Sequence, residues 1–113
     1  MLRYRDKIRL RHMLDHARMA RRMIEGRQRA DLDRDETMRL ALTRAIEVIG
    51  EAAARVSDST RQRLSQIQWR QIIGTRHRLI HGYDTVDLDI LWRIANEDLP
   101  PLIALLQAVI DAG

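Results

Sequence analysis

The apolar residues of this chain return every three or four positions over long stretches, and that spacing constrains the fold more than any other feature. Leu10, Met13, Leu14, Ala17, Ala20 and Ile24 line one side of a helix expected over residues 5–26, with arginines between them. Met38, Leu42, Ala45, Ile49, Ala52 and Val56 form a second stripe, which predicts a helix from about Glu36 to Arg55. Gly26 is the expected stop of the first helix, and Asp33 or Asp35 the N-cap of the second. Gly50 lies inside the second helix, where glycine costs about 1 kcal/mol relative to alanine. Such a glycine marks close helix–helix approach or is incidental.

SDST at 57–60 breaks the pattern and can cap a short turn through Arg61–Leu64. A third helix is expected from Trp69, with Trp69, Ile72, Ile73, Arg76, Leu79, Ile80 and Tyr83 on one side and a loosening at Gly82. DTVD then caps a fourth helix carrying Leu88, Leu91, Trp92 and Ala95. Pro100 and Pro101 impose a kink or a restart, and LIALLQAVI reads as a buried closing helix. Strands find no support, because there is no period-two run and no hairpin turn signal. The expectation is an all-α, compact four- to five-helix bundle, one domain over residues 1–113.

With no cysteine, the chain has neither disulfides nor thiolate metal sites. No apolar run reaches the roughly 20 residues that span a bilayer. The charged start, MLRYRDKIRLRH, lacks the apolar segment of a signal peptide, so a cytoplasmic location is expected. The net charge of +4 hides an uneven distribution. Nineteen of the twenty basic residues are arginine, the side chain whose fork suits phosphate. From Arg61 to Tyr83 there are five arginines and no acid, whereas residues 84–113 hold six acids against Arg93 alone. A basic face meeting a polyanion and a merely solvated arginine face both fit this distribution.

Chemistry concentrates in Trp69 to Asp84, WRQIIGTRHRLIHGYD. Arg76 and His81 supply a fixed cation for a phosphate and a group that titrates near neutrality. Such a pair can break a phosphodiester without metal, by moving the ribose 2′-hydroxyl proton and steadying the phosphorane. On spacing alone the commoner role is structural: Arg76 in a salt bridge, His81 capping a helix end. In a straight helix the two residues point about 140° apart. They therefore converge only if the helix unwinds near Gly82 or a second copy completes the site.

His77 with His81, and His12 with His16, stand at the i, i+4 spacing that can clamp a metal. Neither pair has the adjoining glutamate of a zinc-protease helix or a third ligand in view, so no metal site is expected. Trp69 and Trp92 are candidates for stacking bases or for the core edge. Tyr83, beside Asp84, is either an exposed functional phenol or a loop anchor.

RHRLIHGY resembles the Arg-x4-His-x-Tyr signature of the HEPN superfamily, specifically of HepT-like ribonuclease toxins. VIGEAA at 48–53, WRQIIGTRHRLIHGYD at 69–84, DILW at 89–92 and EDLPPLI at 97–103 look like that family in its usual order. The resemblance implies a helical homodimer, or a larger assembly, with two motifs facing each other across a cleft. It implies a metal-independent endoribonuclease toxin acting on RNA, with tRNA the expected class, and needing no cofactor. It also implies a partner, a minimal nucleotidyltransferase (MNT, MntA-like) antitoxin that uses ATP to adenylylate the motif tyrosine. Position by position, Arg76 would hold the scissile phosphate, His81 act as acid/base and Tyr83 take the AMP, with His77, Arg78 and Arg70 as accessory contacts. The family usually has asparagine after the arginine. His77 stands there instead, which bears on rate or substrate preference. The alternatives are a non-catalytic HEPN module that binds nucleotide or RNA, or holds a nucleotidyltransferase, and a plain helical dimerisation protein.

Overall fold

In the computed structural model, which describes residues 2–81 and 85–113 and the side chains of all of these except His81, the first apolar stripe becomes helix α1 (Tyr4–Ile24). All six stripe residues are buried. The helix stops where expected, with Gly26 in the left-handed region at φ +71°. After the single turn α2 (Asp31–Arg34), α3 runs Glu36–Ala54 and is capped by Asp35, whose Oδ1 accepts from the Met38 amide at 3.0 Å. α1 and α3 pack along each other, and their leucines, alanines, isoleucines and methionines make just over half of the buried core among the described residues.

Ser57 caps α4 (Asp58–Arg63) and also ties it to α1. Asp6 is 3% exposed, and its carboxylate accepts from Ser57 Oγ at 2.6 Å, Thr60 Oγ1 at 2.5 Å and the Ser57 amide at 3.0 Å. A buried carboxylate is tolerated only when donors surround it in this way.

The expected third helix is not continuous. It divides into α5 (Trp69–Ile73) and α6 (Thr75–Leu79), with Gly74 between them. The chain then leaves the helix three residues before Gly82. Ile80–His81 forms β1 and pairs antiparallel with β2 (Thr85–Val86), in register Ile80 to Val86 and His81 to Thr85. This small hairpin corrects the strand-free expectation. It also removes the single helical face on which Arg76, Ile80 and Tyr83 were to align.

Asp87 caps α7 (Leu88–Arg93), which continues through a π-helical turn (Ile94–Asp98) into α8 (Leu99–Asp111). The consecutive prolines account for the π turn. The Leu99 amide bonds to the Ile94 carbonyl, five residues back. The carbonyls of Ala95 and Asn96 then face residues 100 and 101, which as prolines have no N–H to give. Arg21 of α1 supplies the missing donor, reaching the Ala95 carbonyl at 2.9 Å and that of Asn96 at 3.4 Å. The closing helix α8 buries Leu99, Leu102 and Leu106 and leaves Ala104 and Ala108 exposed, so it is amphipathic rather than wholly buried. The architecture is all-α apart from the hairpin.

Candidate active site

The motif segment is held by a few specific bonds. The Trp69 indole N–H donates to the Leu64 carbonyl at 3.1 Å, fixing the start of α5. At the Gly74 break, the Gly74 amide bonds to the Arg70 carbonyl at 2.9 Å and Thr75 Oγ1 to that of Gln71 at 3.1 Å. Gly50 sets how closely α5 approaches α3: a β-carbon built there would stand 3.0 Å from the Ile72 carbonyl oxygen. The interior glycine of α3 is therefore a close-approach site. On the far side, the Asp87 amide donates to the Leu79 carbonyl at 2.7 Å, closing the base of the hairpin.

α6 buries Thr75 and Leu79, one turn apart. That choice of inner face turns Arg76 and His77 out to solvent. Among the described residues Arg76 has no ion pair and no side-chain hydrogen bond. The structural role left open for it, a salt bridge within the bundle, is not filled there. Arg78 differs. It is half-buried, and its Nη1 lies 3.9 Å from Asp98 Oδ2 of the π turn. Both residues wall a groove of about 370 Å³ floored by Ile46, Ile49, Ile72 and Leu102. Arg70 is exposed on α5.

The backbone of His81 is paired in β1, immediately after α6, while its side chain lies outside what the structure describes. Tyr83, Gly82 and Asp84 also lie outside the described residues. The structure thus places Arg76, His77 and the His81 backbone on one short stretch of α6 and β1.

The two tryptophans part company. Trp69 is spent on the core, whereas Trp92 is half-buried on α7 and its indole N–H has no protein acceptor among the described residues. Of the His12–His16 pair, His12 is exposed, and the ring of His16 lies against the backbone, its Nδ1 2.9 Å from the His12 carbonyl oxygen. Among the described residues no group of three His, Asp or Glu side chains is arranged to hold a metal. No described helix is long and apolar enough to cross a membrane. Reading the sequence missed the hairpin, the Arg78–Asp98 pair and the role of Arg21. The β-branched Ile80, Thr85 and Val86 around Gly82 were the available signal for the hairpin.

A short helix with an exposed arginine that has no ion pair among the described residues, followed directly by a strand that includes a histidine, suits chemistry on a phosphate. The family that matches the sequence agrees with that class. The Ribonuclease HepT-like family matches residues 13–109, and the chain belongs to it. The chain is 37% identical over 68 residues to the probable ribonuclease HepT of Thermococcus cleftensis, covering 60% of this chain and 62% of that protein. A provisionally named RNase of Methanocaldococcus jannaschii is 35% identical over 68 residues, with the same coverage of 60% and 62%. Another, from Caldanaerobacter subterraneus subsp. tengcongensis, is 30% identical over 93 residues, covering 82% of this chain and 83% of that protein. The chain therefore spans less than two-thirds of the length of the first two. No solved structure matches it significantly.

Proposed function

We propose that this chain is a metal-independent endoribonuclease of the HEPN type. The observation that carries the proposal is Arg76. It is exposed on α6 and has no ion pair among the described residues, and α6 directly precedes the strand that bears His81, in a chain matched over residues 13–109 by a ribonuclease family. An arginine left uncompensated at a surface costs nothing structurally and is available to a phosphodiester.

In this reading Arg76 grips the scissile phosphate with two N–H donors and steadies the charge of the phosphorane. His81 takes the 2′-hydroxyl proton, the 2′-oxygen attacks phosphorus, and the bond to the 5′-oxygen breaks. The leaving 5′-oxygen takes up a proton from the protonated His81 imidazolium of a second copy, which makes a homodimer the working unit. His77 and Arg70, both exposed, accompany the RNA strand, whereas Arg78 is engaged by Asp98. The RNA substrate is proposed to be tRNA, and the protein to be the toxin of a toxin–antitoxin pair. Its partner, a minimal nucleotidyltransferase, would attach AMP to Tyr83. A phosphodiester beside Arg76 would then occupy the place of the substrate and cancel the charge that binds it.

The test is RNA cleavage in EDTA by wild type, Arg76→Ala and His81→Ala, with the mass of Tyr83 measured on the same samples. Cleavage is expected from unmodified wild type, falling about 10²- to 10⁴-fold in each variant. Absence of cleavage by a protein whose Tyr83 carries no adduct would sink the nuclease reading and leave a non-catalytic RNA- or nucleotide-binding module.

A further inference from the structure

Away from the motif, the C-terminal end of α1 and α7 enclose a cleft of about 460 Å³, lined by Arg21, Arg22, Glu25, Arg27, Trp92 and Asn96. The charges in it are not equivalent. Arg27 is neutralised by Asp31 and Asp35, at 3.5 and 3.1 Å. Arg21 is fixed by the backbone carbonyls of the π turn, which carry no formal charge, so its positive charge stays in the cleft. Arg22 is exposed and has no ion pair among the described residues. Glu25 is the one acid among the residues lining the cleft, so Arg21 and Arg22 outnumber it there, while Arg27 with its two aspartates sums to one negative charge. Beside these arginines Trp92 is half-buried, held by its helix yet partly open to solvent, with an unpartnered indole N–H. A rigid aromatic beside a fixed and a free guanidinium is the combination that stacks a base and holds its phosphate.

We infer that this cleft is a second RNA-contact site, which stacks one unpaired base on Trp92 and holds the adjoining phosphate through Arg22. The inference rests on the reading of the chain as an RNA-acting protein. Arg21 serves two ends here. It completes the hydrogen bonds that Pro100 and Pro101 cannot make, and it lines the same cleft as Trp92. A base stacked there would lie on α7, the helix that follows the motif hairpin in the chain.

The experiment measures binding of a labelled single-stranded RNA of about 12 nucleotides, within the usual range of such sites, to the cleavage-impaired His81→Ala protein. Second substitutions are Trp92→Leu, Trp92→Phe and Arg22→Gln. Trp92→Leu is expected to weaken binding about 5- to 100-fold and Trp92→Phe much less, the range that base stacking supports. Arg22→Gln is expected to lower the slope of log K against log salt by about 0.7, the value for one phosphate on a single strand. Because Arg22 is exposed, its replacement does not threaten the fold and decides the matter if Trp92→Leu unfolds. Unchanged affinity and salt slope in Arg22→Gln, or equal affinity for duplex RNA and no difference between Phe and Leu at Trp92, would overturn the site. If wild type still cleaves RNA in that case, only this inference fails; if it neither cleaves nor binds RNA, the nuclease reading fails with it.

Discussion

Along α1 and α3 the backbone hydrogen bonds run unbroken for 21 and 19 residues, whereas between Trp69 and Val86 no described element exceeds five. The first region is stabilised by burial: α1 and α3 each press a stripe of apolar side chains into a common core. The second is held to its surroundings by bonds from Trp69 and Asp87 and braced internally by Thr75, and it buries only Trp69, Thr75 and Leu79 among its described residues. Its outward residues include Arg70, Arg76 and His77, which contribute no packing. Stability and the candidate chemistry thus reside in different parts of the chain. The segment with the candidate site is the one with fewer bonds to lose, and it is expected to open more readily.

That division is easiest to break with a paired measurement. Leu14→Ala, at a fully buried α1 position, is expected to cost about 2–5 kcal/mol in chemical denaturation. Arg76→Ala, on the exposed face of α6, is expected to leave the denaturation midpoint near wild type while cleavage collapses. Comparable losses of stability from both substitutions would mean that the motif arginine is part of the scaffold.

Gly50→Ala probes the contact between the two regions. Its β-carbon would meet the Ile72 carbonyl oxygen at 3.0 Å, and backbone cannot swing aside as a side chain can. A loss of about 1–3 kcal/mol is expected from the overpacking. Cleavage is expected to fall by more than that loss explains, because the displaced residue belongs to α5.

Asp6→Asn tests the polar node beneath α1. Burial acts to raise the Asp6 carboxyl, but hydrogen bonds from Ser57 and Thr60 outweigh it and hold the group below its ordinary value. A depressed folded-state pKa means that this stabilisation is present above the unfolded value, near pH 4, and is lost as pH falls through the folded one. Asp6→Asn is expected to lower stability by about 1–3 kcal/mol at neutral pH. It is also expected to flatten the decline of stability below about pH 4, as followed by acid titration of the denaturation midpoint.

The smallest effect is expected at Arg29, whose Nε lies 2.7 Å from Asp89 Oδ1 on the surface. Arg29→Ala is expected to cost no more than about 1 kcal/mol and to lose even that in high salt.

Much of the scaffold was legible because its signals are local. The stripes of α1 and α3, the Asp35 and Ser57 caps and the stop at Gly26 all depend on residues within a few positions of one another. The motif residues were legible as chemistry, but their arrangement was not. The apolar spacing of Trp69, Ile72, Ile73, Leu79 and Ile80 is helical, yet the chain turns into a hairpin after Leu79. The bond from Asp87 to the Leu79 carbonyl and the pairing of Ile80 with Val86 join residues that no helical period relates.

The amino-acid sequence by itself determined the helical class and the two long helices, and it singled out Gly50 as a candidate close approach and Arg76 and His81 as candidates for chemistry on a phosphate. Each of these follows from periodicity, capping or side-chain chemistry within a short span. Only the tertiary structure decided that Arg78 faces Asp98 while Arg76 has no ion pair among the described residues, and that Trp69 is core while Trp92 borders a cleft. It also decided that Arg21 supplies the hydrogen bonds withheld by Pro100 and Pro101. These outcomes turn on which donor or charge from a distant segment arrives at each group, and that is settled by how the helices pack.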